Sequence, residues 1–137
     1  DLTVEESALW IDISNQLELA RVYVLAQSST DERIIKVAQE SSGFIYAASL
    51  MGVTGTRNSV SSGAQTLVER IRSHSNLPVA VGLGVSNKAQ AAEVAKYANA
   101  VIVGSAFIKI IQEESDFNIA LQQVENLAKD LRSGLSK

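Results

Sequence analysis

Short apolar runs recur along this chain with longer helical patterns between them, and this rhythm restricts the fold more than any other feature. The runs are RVYVLAQ (21–27), GFIYAAS (43–49), LPVAVGLGV (77–85) and AVIVGS (100–105). Each is apolar at consecutive positions, as expected of a strand covered on both faces in a parallel sheet and not of a half-solvated antiparallel one. Five helices are predicted around them. TVEESALWIDISNQLELA opens the chain, and DERIIKVAQES starts at Thr30 or Asp31. GAQTLVERIRSHS follows Ser61 or Ser62, Ser86 is expected to cap NKAQAAEVAKYA, and DFNIALQQVENLAKDLRSGL begins at Asp116. The order αβαβαβαβα is that of repeated βα units, in one domain spanning residues 1–137.

Four parallel strands leave two open edges and an uncovered inner face, defects that closure into an eight-stranded barrel removes. The chain begins Asp-Leu-Thr directly ahead of a helix, where a βα repeat calls for a strand. The expectation is therefore the C-terminal half of a (β/α)8 TIM barrel.

Composition narrows the function. Of the 137 residues, 46% are hydrophobic, enough for a real core. Twelve basic and fifteen acidic residues are scattered and give a net charge of −3, which favours neither nucleic acid nor an anionic membrane as partner. The absence of cysteine excludes disulfides and thiolate zinc sites and suits a cytoplasmic protein. No run is long and apolar enough to span a bilayer, and the acidic start has no secretion-signal character.

The chemistry gathers where strands end. MGVTGTRN follows the second run, GLGVSN completes the third and GSAF follows the fourth. Ligands of parallel α/β folds sit at the C-terminal ends of strands, and the last two loops of such barrels frequently hold a phosphate beside a helix N-terminus. Glycine lets backbone amides approach the anion and the helix dipole adds favourable potential. Gly104 and Ser105, with Gly84 and Gly55, are accordingly the candidate phosphate cradle. Gly82 is read as serving close packing.

GFIYAASLMGVTGTRNSV, LPVAVGLGVSNKAQAAEV and NAVIVGSAFIKII resemble, in order and spacing, successive segments of the tryptophan synthase α subunit family. DLTVEES looks like the segment after that family's fourth strand, so the likeness covers essentially the whole chain. It implies a lyase of tryptophan biosynthesis that cleaves indole-3-glycerol phosphate to indole and glyceraldehyde 3-phosphate by a retro-aldol reaction, without a cofactor or metal, and passes indole to a β subunit in an α2β2 complex. The family's catalytic Glu and Asp belong to the first half of the barrel, so no catalytic residue is expected in this chain. By the same resemblance Gly55, Gly84, Gly104 and Ser105 bind the substrate phosphate and Tyr46 lies against the substrate. Thr54 orients the Asp when its loop closes, Gly52 and Gly55 give that loop its freedom, and Leu83 lines the site.

The chain departs from the family pattern at Leu50, Met51 and Thr3, positions that bear on loop closure and β-subunit docking. Two alternatives remain open: another phosphate-handling TIM barrel, an isomerase or synthase, and a non-catalytic half-barrel module that self-associates. Glu5 and Glu6 read as dipole partners in the first helical turn, His74 as a dipole partner at a helix C-terminus, Trp10 as core or barrel-to-helix packing, and Lys109 as an outer helical residue. Arg57 is read equally as a phosphate or partner contact and as a solvated loop residue.

Overall fold

The computed structural model describes residues 2–48, 60–82 and 84–135, with residues 60–62 as backbone only. The strands are β1 (Val24–Ala26), β2 (Ile45–Ala48), β3 (Val79–Gly82) and β4 (Ala100–Ile102). They form one sheet in the order β1-β2-β3-β4, parallel throughout. The helices are α1 (Ala8–Gln16), α2 (Asp31–Glu40), α3 (Val60–His74), α4 (Lys88–Ala95), α5 (Ser105–Glu113) and α6 (Phe117–Gly134). Each strand is a short piece of its apolar run, β4 being the first three residues of its own. The expected count of five helices is corrected by α5, which stands between β4 and the long C-terminal helix.

Register divides the sheet into two unlike faces. Leu25, Ala47, Val81 and Val101 are aligned on one of them. This face meets Ile34 and Val37 of α2, Leu67, Val68 and Ile71 of α3, Val94 of α4 and Leu131 of α6 in a single core cluster. The other face carries the rows Val24, Tyr46, Ala80, Ala100 and Ala26, Ala48, Gly82, Ile102. None of these residues belongs to the core cluster. The helices therefore cover one side of the sheet, as in one half of a barrel whose inner face is the other.

Side-chain caps set the starts of α2, α4 and α6. Thr30 accepts from the Arg33 amide and Asp116 from the amides of Asn118 and Ile119, both as the sequence predicts. At α4 the cap is Asn87, one residue beyond the expected Ser86, and accepts from the Gln90 amide. Ser86 instead donates its amide and hydroxyl to Gln90 Oε1, at 2.8 and 3.1 Å, so the Gln90 side chain reaches back over the helix start.

The N-terminal residues depart further from expectation. Glu5 and Glu6 lie in a turn ahead of α1, not in its first helical turn. Glu6 accepts from the Thr3 hydroxyl at 2.8 Å, and Glu5 pairs with Arg33 of α2 at 3.1 Å. Trp10 is 40% exposed and so is not a core residue. What α1 buries is Ser14, whose hydroxyl donates to Trp10 O at 2.6 Å and accepts from Arg21 Nη1 at 2.7 Å. Arg21, with a side chain only 12% exposed, also donates to Asn15 Oδ1 and Glu40 O, tying the ends of α1 and α2 together.

Replacing Asp116 by Ala leaves the Asn118 and Ile119 amides without their acceptor, and a loss of about 1 kcal/mol in urea denaturation is expected. An unchanged denaturation midpoint would show that α6 is held by packing alone.

Candidate functional site

Of the three strands whose runs end in glycine-rich sequence, β3 and β4 are adjacent and held in a defined register. Asn99, just ahead of β4, donates its amide to Val79 O at 2.9 Å, and its side-chain Oδ1 accepts from the Val79 amide at 3.0 Å. Arg72 of α3 donates to the same Oδ1 at 3.0 Å, so the carbonyl stays turned toward the strand. Three residues further along, Gly82 is paired with Ile102. An added Cβ on Gly82 would stand 2.8 Å from Ile102 Cβ and 2.8 Å from Tyr46 Oη, which confirms the close-packing role read from the sequence. The missing side chain lets the Tyr46 ring lie across β3 toward β4.

Because Gly82 and Ile102 are partners, Gly84 and Gly104 each lie two residues beyond a matched pair, at the same C-terminal edge of the sheet. Both glycines thus follow the ends of neighbouring strands. Both are exposed. Gly84 has φ +77°, a conformation that side-chain-bearing residues rarely adopt. Gly104 is constrained differently. It stands at the N-cap of α5, and a Cβ built there would meet nothing within 4 Å. The open space above it is therefore not required by the fold.

Ser105 is the first residue of α5 and is exposed. No side chain caps this helix, nor α1, whereas α2, α4 and α6 are capped. Its first amides and the positive end of its dipole face outward at the sheet edge, an arrangement suited to an oxyanion. The amides of Phe107 and Ile108 already donate to Gly104 O, at 3.0 and 3.3 Å. The donors left for an anion are those nearest the strand.

Tyr46, half-buried on β2, extends the site along the inner face. Of the residues singled out by sequence, Tyr46 lies on β2, Gly84 follows β3, and Gly104 and Ser105 stand at the start of α5 after β4. Thr54, Gly55 and Leu83 lie outside the described residues, as do Gly52, Leu50, Met51 and Arg57. What sequence reading missed was the contrast in capping: Gly-Ser before an apolar helical stretch, with no Ser, Thr, Asp or Asn at the cap itself, was the available signal.

The charged groups nearby serve structure. Arg70 of α3 donates to Ser29 O at 2.7 Å and to Asp31 Oδ1 at 2.6 Å, pinning the loop after β1. The hydrogen bond from Arg70 holds the Asp31 carboxyl below the usual carboxylate range. Glu5 is also held low, first by its own backbone amide and then by Arg33. A cleft of about 410 Å³ beside this loop is lined by Glu5, Ser28, Thr30, Glu32, Arg33 and Lys36. With Glu5 and Arg33 paired to each other, it offers no converging set of donors to match the strand ends. Lys109 pairs with Glu113 on the exposed side of α5, and His74 ends α3. Among the described residues no group of His, Asp and Glu could hold a metal ion, and no helix is long and apolar enough to cross a membrane.

Comparison with known proteins gives these strand ends a context. The family described as tryptophan synthase alpha chain matches residues 1–136. The tryptophan synthase alpha chain of Streptomyces avermitilis is 53% identical over 135 residues, 98% of this chain and 49% of the relative. That of Acidothermus cellulolyticus is 47% identical over 137 residues, 100% of this chain and 51% of the relative. Among solved structures, tryptophan synthase from Mycobacterium tuberculosis superposes with a TM-score of 0.82 at 41% identity, over 98% of this chain and 49% of that one. The tryptophan synthase α2β2 complex from Pyrococcus furiosus gives a TM-score of 0.82 at 30% identity, over 97% of this chain and 53% of that one. The chain spans about half the length of the relatives it matches, and its four-stranded sheet is the corresponding half of their TIM barrel. Sequence and fold agree: the chain belongs to the tryptophan synthase alpha chain family.

Proposed function

We propose that this chain forms the phosphate-binding half of a tryptophan synthase α-type lyase, which cleaves indole-3-glycerol phosphate to indole and glyceraldehyde 3-phosphate. The observation that carries the reading is the pair of exposed glycines at the ends of β3 and β4, beside the uncapped start of α5. Backbone amides there grip the phosphate, with the Ser105 hydroxyl as a further donor. Gly55, Thr54 and Leu83 join the site on the strength of the family resemblance, with the roles of phosphate ligand, loop positioner and apolar lining.

In this reading the phosphate anchors one end of the substrate, and Tyr46 on the inner face contacts the part that extends over the sheet. A general acid protonates the indole ring at C3 and a base takes the proton of the glycerol hydroxyl as the carbon–carbon bond breaks. Both come from the part of the relatives' length that this chain does not span. The chain's own contribution is orientation, which holds the reacting bond where the two groups can act. The same family reading gives a β subunit as partner and the cytoplasm as location.

Gly104 separates binding from folding. Because a side chain there meets open space, Gly104→Val should abolish detectable inorganic phosphate or glycerol phosphate binding in isothermal titration while leaving the melting temperature unchanged. Gly84→Ala should weaken binding and also cost roughly 1 kcal/mol of stability, because φ is positive. Undiminished phosphate binding in both variants would remove the cradle assignment.

Activity tests the reaction itself. The chain alone should release essentially no indole from indole-3-glycerol phosphate, since each missing acid–base group typically contributes about 10²–10⁴-fold. Adding the separately produced N-terminal half of the Streptomyces avermitilis relative should restore release. Thr54→Ala should then lower the rate with little change in phosphate affinity. No recovery from the assembled pair would count against the proposed reaction.

A further inference from the structure

A polar contact recurs at the N-terminal ends of the strands. Ahead of β4, the Asn99 amide donates to Val79 O at 2.9 Å while its side-chain Oδ1 accepts from the Val79 amide at 3.0 Å. Ahead of β2, the Ser42 amide donates to Arg21 O at 2.8 Å while its hydroxyl oxygen accepts from the Arg21 amide at 2.9 Å. In both cases the residue leading into the later strand takes both backbone groups of a residue on or ahead of the earlier one, half of the exchange passing through a side chain. Between the two contacts the Ile45 amide donates to Pro78 O at 2.9 Å, so β2 and β3 are joined there by main chain alone.

The contact at β4 carries more of its strand's alignment than cross-strand packing does. Val79 is fully buried, and a buried amide that loses its acceptor bears the whole cost of its desolvation. β4 is three residues long. On the inner face its matched pairs are Ala80 with Ala100 and Gly82 with Ile102, and on the other face Val81 with Val101. Small side chains and glycine specify register weakly. Asn99 is also held from two helices. Arg72 of α3 donates to Asn99 Oδ1 at 3.0 Å, next to the fully buried Ile71, and the Ala98 amide still donates to Val94 O of α4 at 3.0 Å.

We propose that Asn99 is a positioning residue for the anion site: its double contact with Val79 sets β4 against β3 and so places Gly104 and Ser105 relative to Gly84. The inference rests on the phosphate reading of that rim. A slip of one residue moves a strand by about 3.3 Å, whereas hydrogen bonds to an oxyanion keep within a window of about 0.5 Å. An anion held from two strands at once is therefore sensitive to their alignment. Asn99 lies at the opposite end of the strands from the glycines and acts only through that alignment. Ser42 makes the matching contact for β1 and β2, whose ends carry neither Gly84 nor Gly104, and so provides an internal control.

The experiment titrates inorganic phosphate into the 137-residue chain by calorimetry and follows the Gly84 and Gly104 amide signals by heteronuclear NMR. Asn99→Ala should weaken phosphate binding on the order of 10-fold and shift both amide signals before phosphate is added. Asn99→Asp, whose carboxylate accepts from Val79 and Arg72 alike, should restore affinity to within about twofold. Arg72→Met removes only the group that aims Asn99 and should weaken binding about threefold, which covers the case in which Asn99→Ala fails to fold. Ser42→Ala should lower the melting temperature about as much as Asn99→Ala yet leave phosphate affinity unchanged. Equal losses of affinity in Ser42→Ala and Asn99→Ala would assign both to general loosening and overturn the proposal. So would unchanged affinity and amide signals in Asn99→Ala and Arg72→Met, or failure of Asn99→Asp to restore binding. An unsubstituted chain that binds no phosphate would instead remove the cradle reading itself, and this inference with it.

Discussion

The alignment of β3 with β4 is the constraint on which the candidate site depends. Two glycines separated by twenty residues of sequence become a single feature only because Gly82 and Ile102 are partners. That register is held at the opposite end of the strands by Asn99, which exchanges two hydrogen bonds with Val79 and is itself oriented by Arg72. A slip of one residue would send the side chains of β4 to the other face and carry Gly104 past Gly84. The end that determines the alignment and the end that uses it are thus distinct, a division usual in barrels, where one rim serves stability and the other chemistry.

The same register decides how much of the sheet can be buried by this chain alone. Leu25, Ala47 and Val81 disappear completely beneath the helices, whereas Val24, one position away, remains 42% exposed. An alternating strand would have placed a polar residue at that second position. Continuous apolar runs instead commit both faces to burial, and the helices can meet that commitment on one side only. The outward stripe of α1 follows from the same geometry at the sheet edge. Its polar Ser14 is turned inward because Arg21 and the carbonyls of Trp10 and Ile11 satisfy the hydroxyl there.

Much of this was legible in the sequence because it is local. The apolar runs located all four strands, and Thr30 and Asp116 marked their helices since a cap needs only the next three residues. Ser86 and Asn87 are both good caps, and the sequence alone did not choose between them. Gln90 decides the matter by reaching back to Ser86 and leaving Asn87 to accept from the helix. Trp10 read as core or barrel-to-helix packing because its stripe is apolar, yet periodicity reports which residues share a side and not what lies opposite. Glu5 read as a dipole partner because helix starts are uncertain by a few residues; its actual partner, Arg33, is 28 positions away and could not be inferred from spacing. α5 was visible only as an apolar continuation after Gly104, and without a capping residue it had no start signal of its own.

That missing signal is the informative part. The described side chains cap α2, α4 and α6, and in each case the acceptor occupies the position that an approaching anion would need. A capped helix end is electrostatically satisfied; an open one keeps its amides and its dipole available. Gly104 provides neither an acceptor nor a methyl group, and the space above it is empty within 4 Å. Replacing it by Ser or Asp would have made a better helix start in isolation, at a location where the neighbouring strand already offers Gly84 in a conformation that favours glycine. Two adjacent strand ends therefore both forgo the locally favourable choice and do so at the same rim. The proposed phosphate would account for both together.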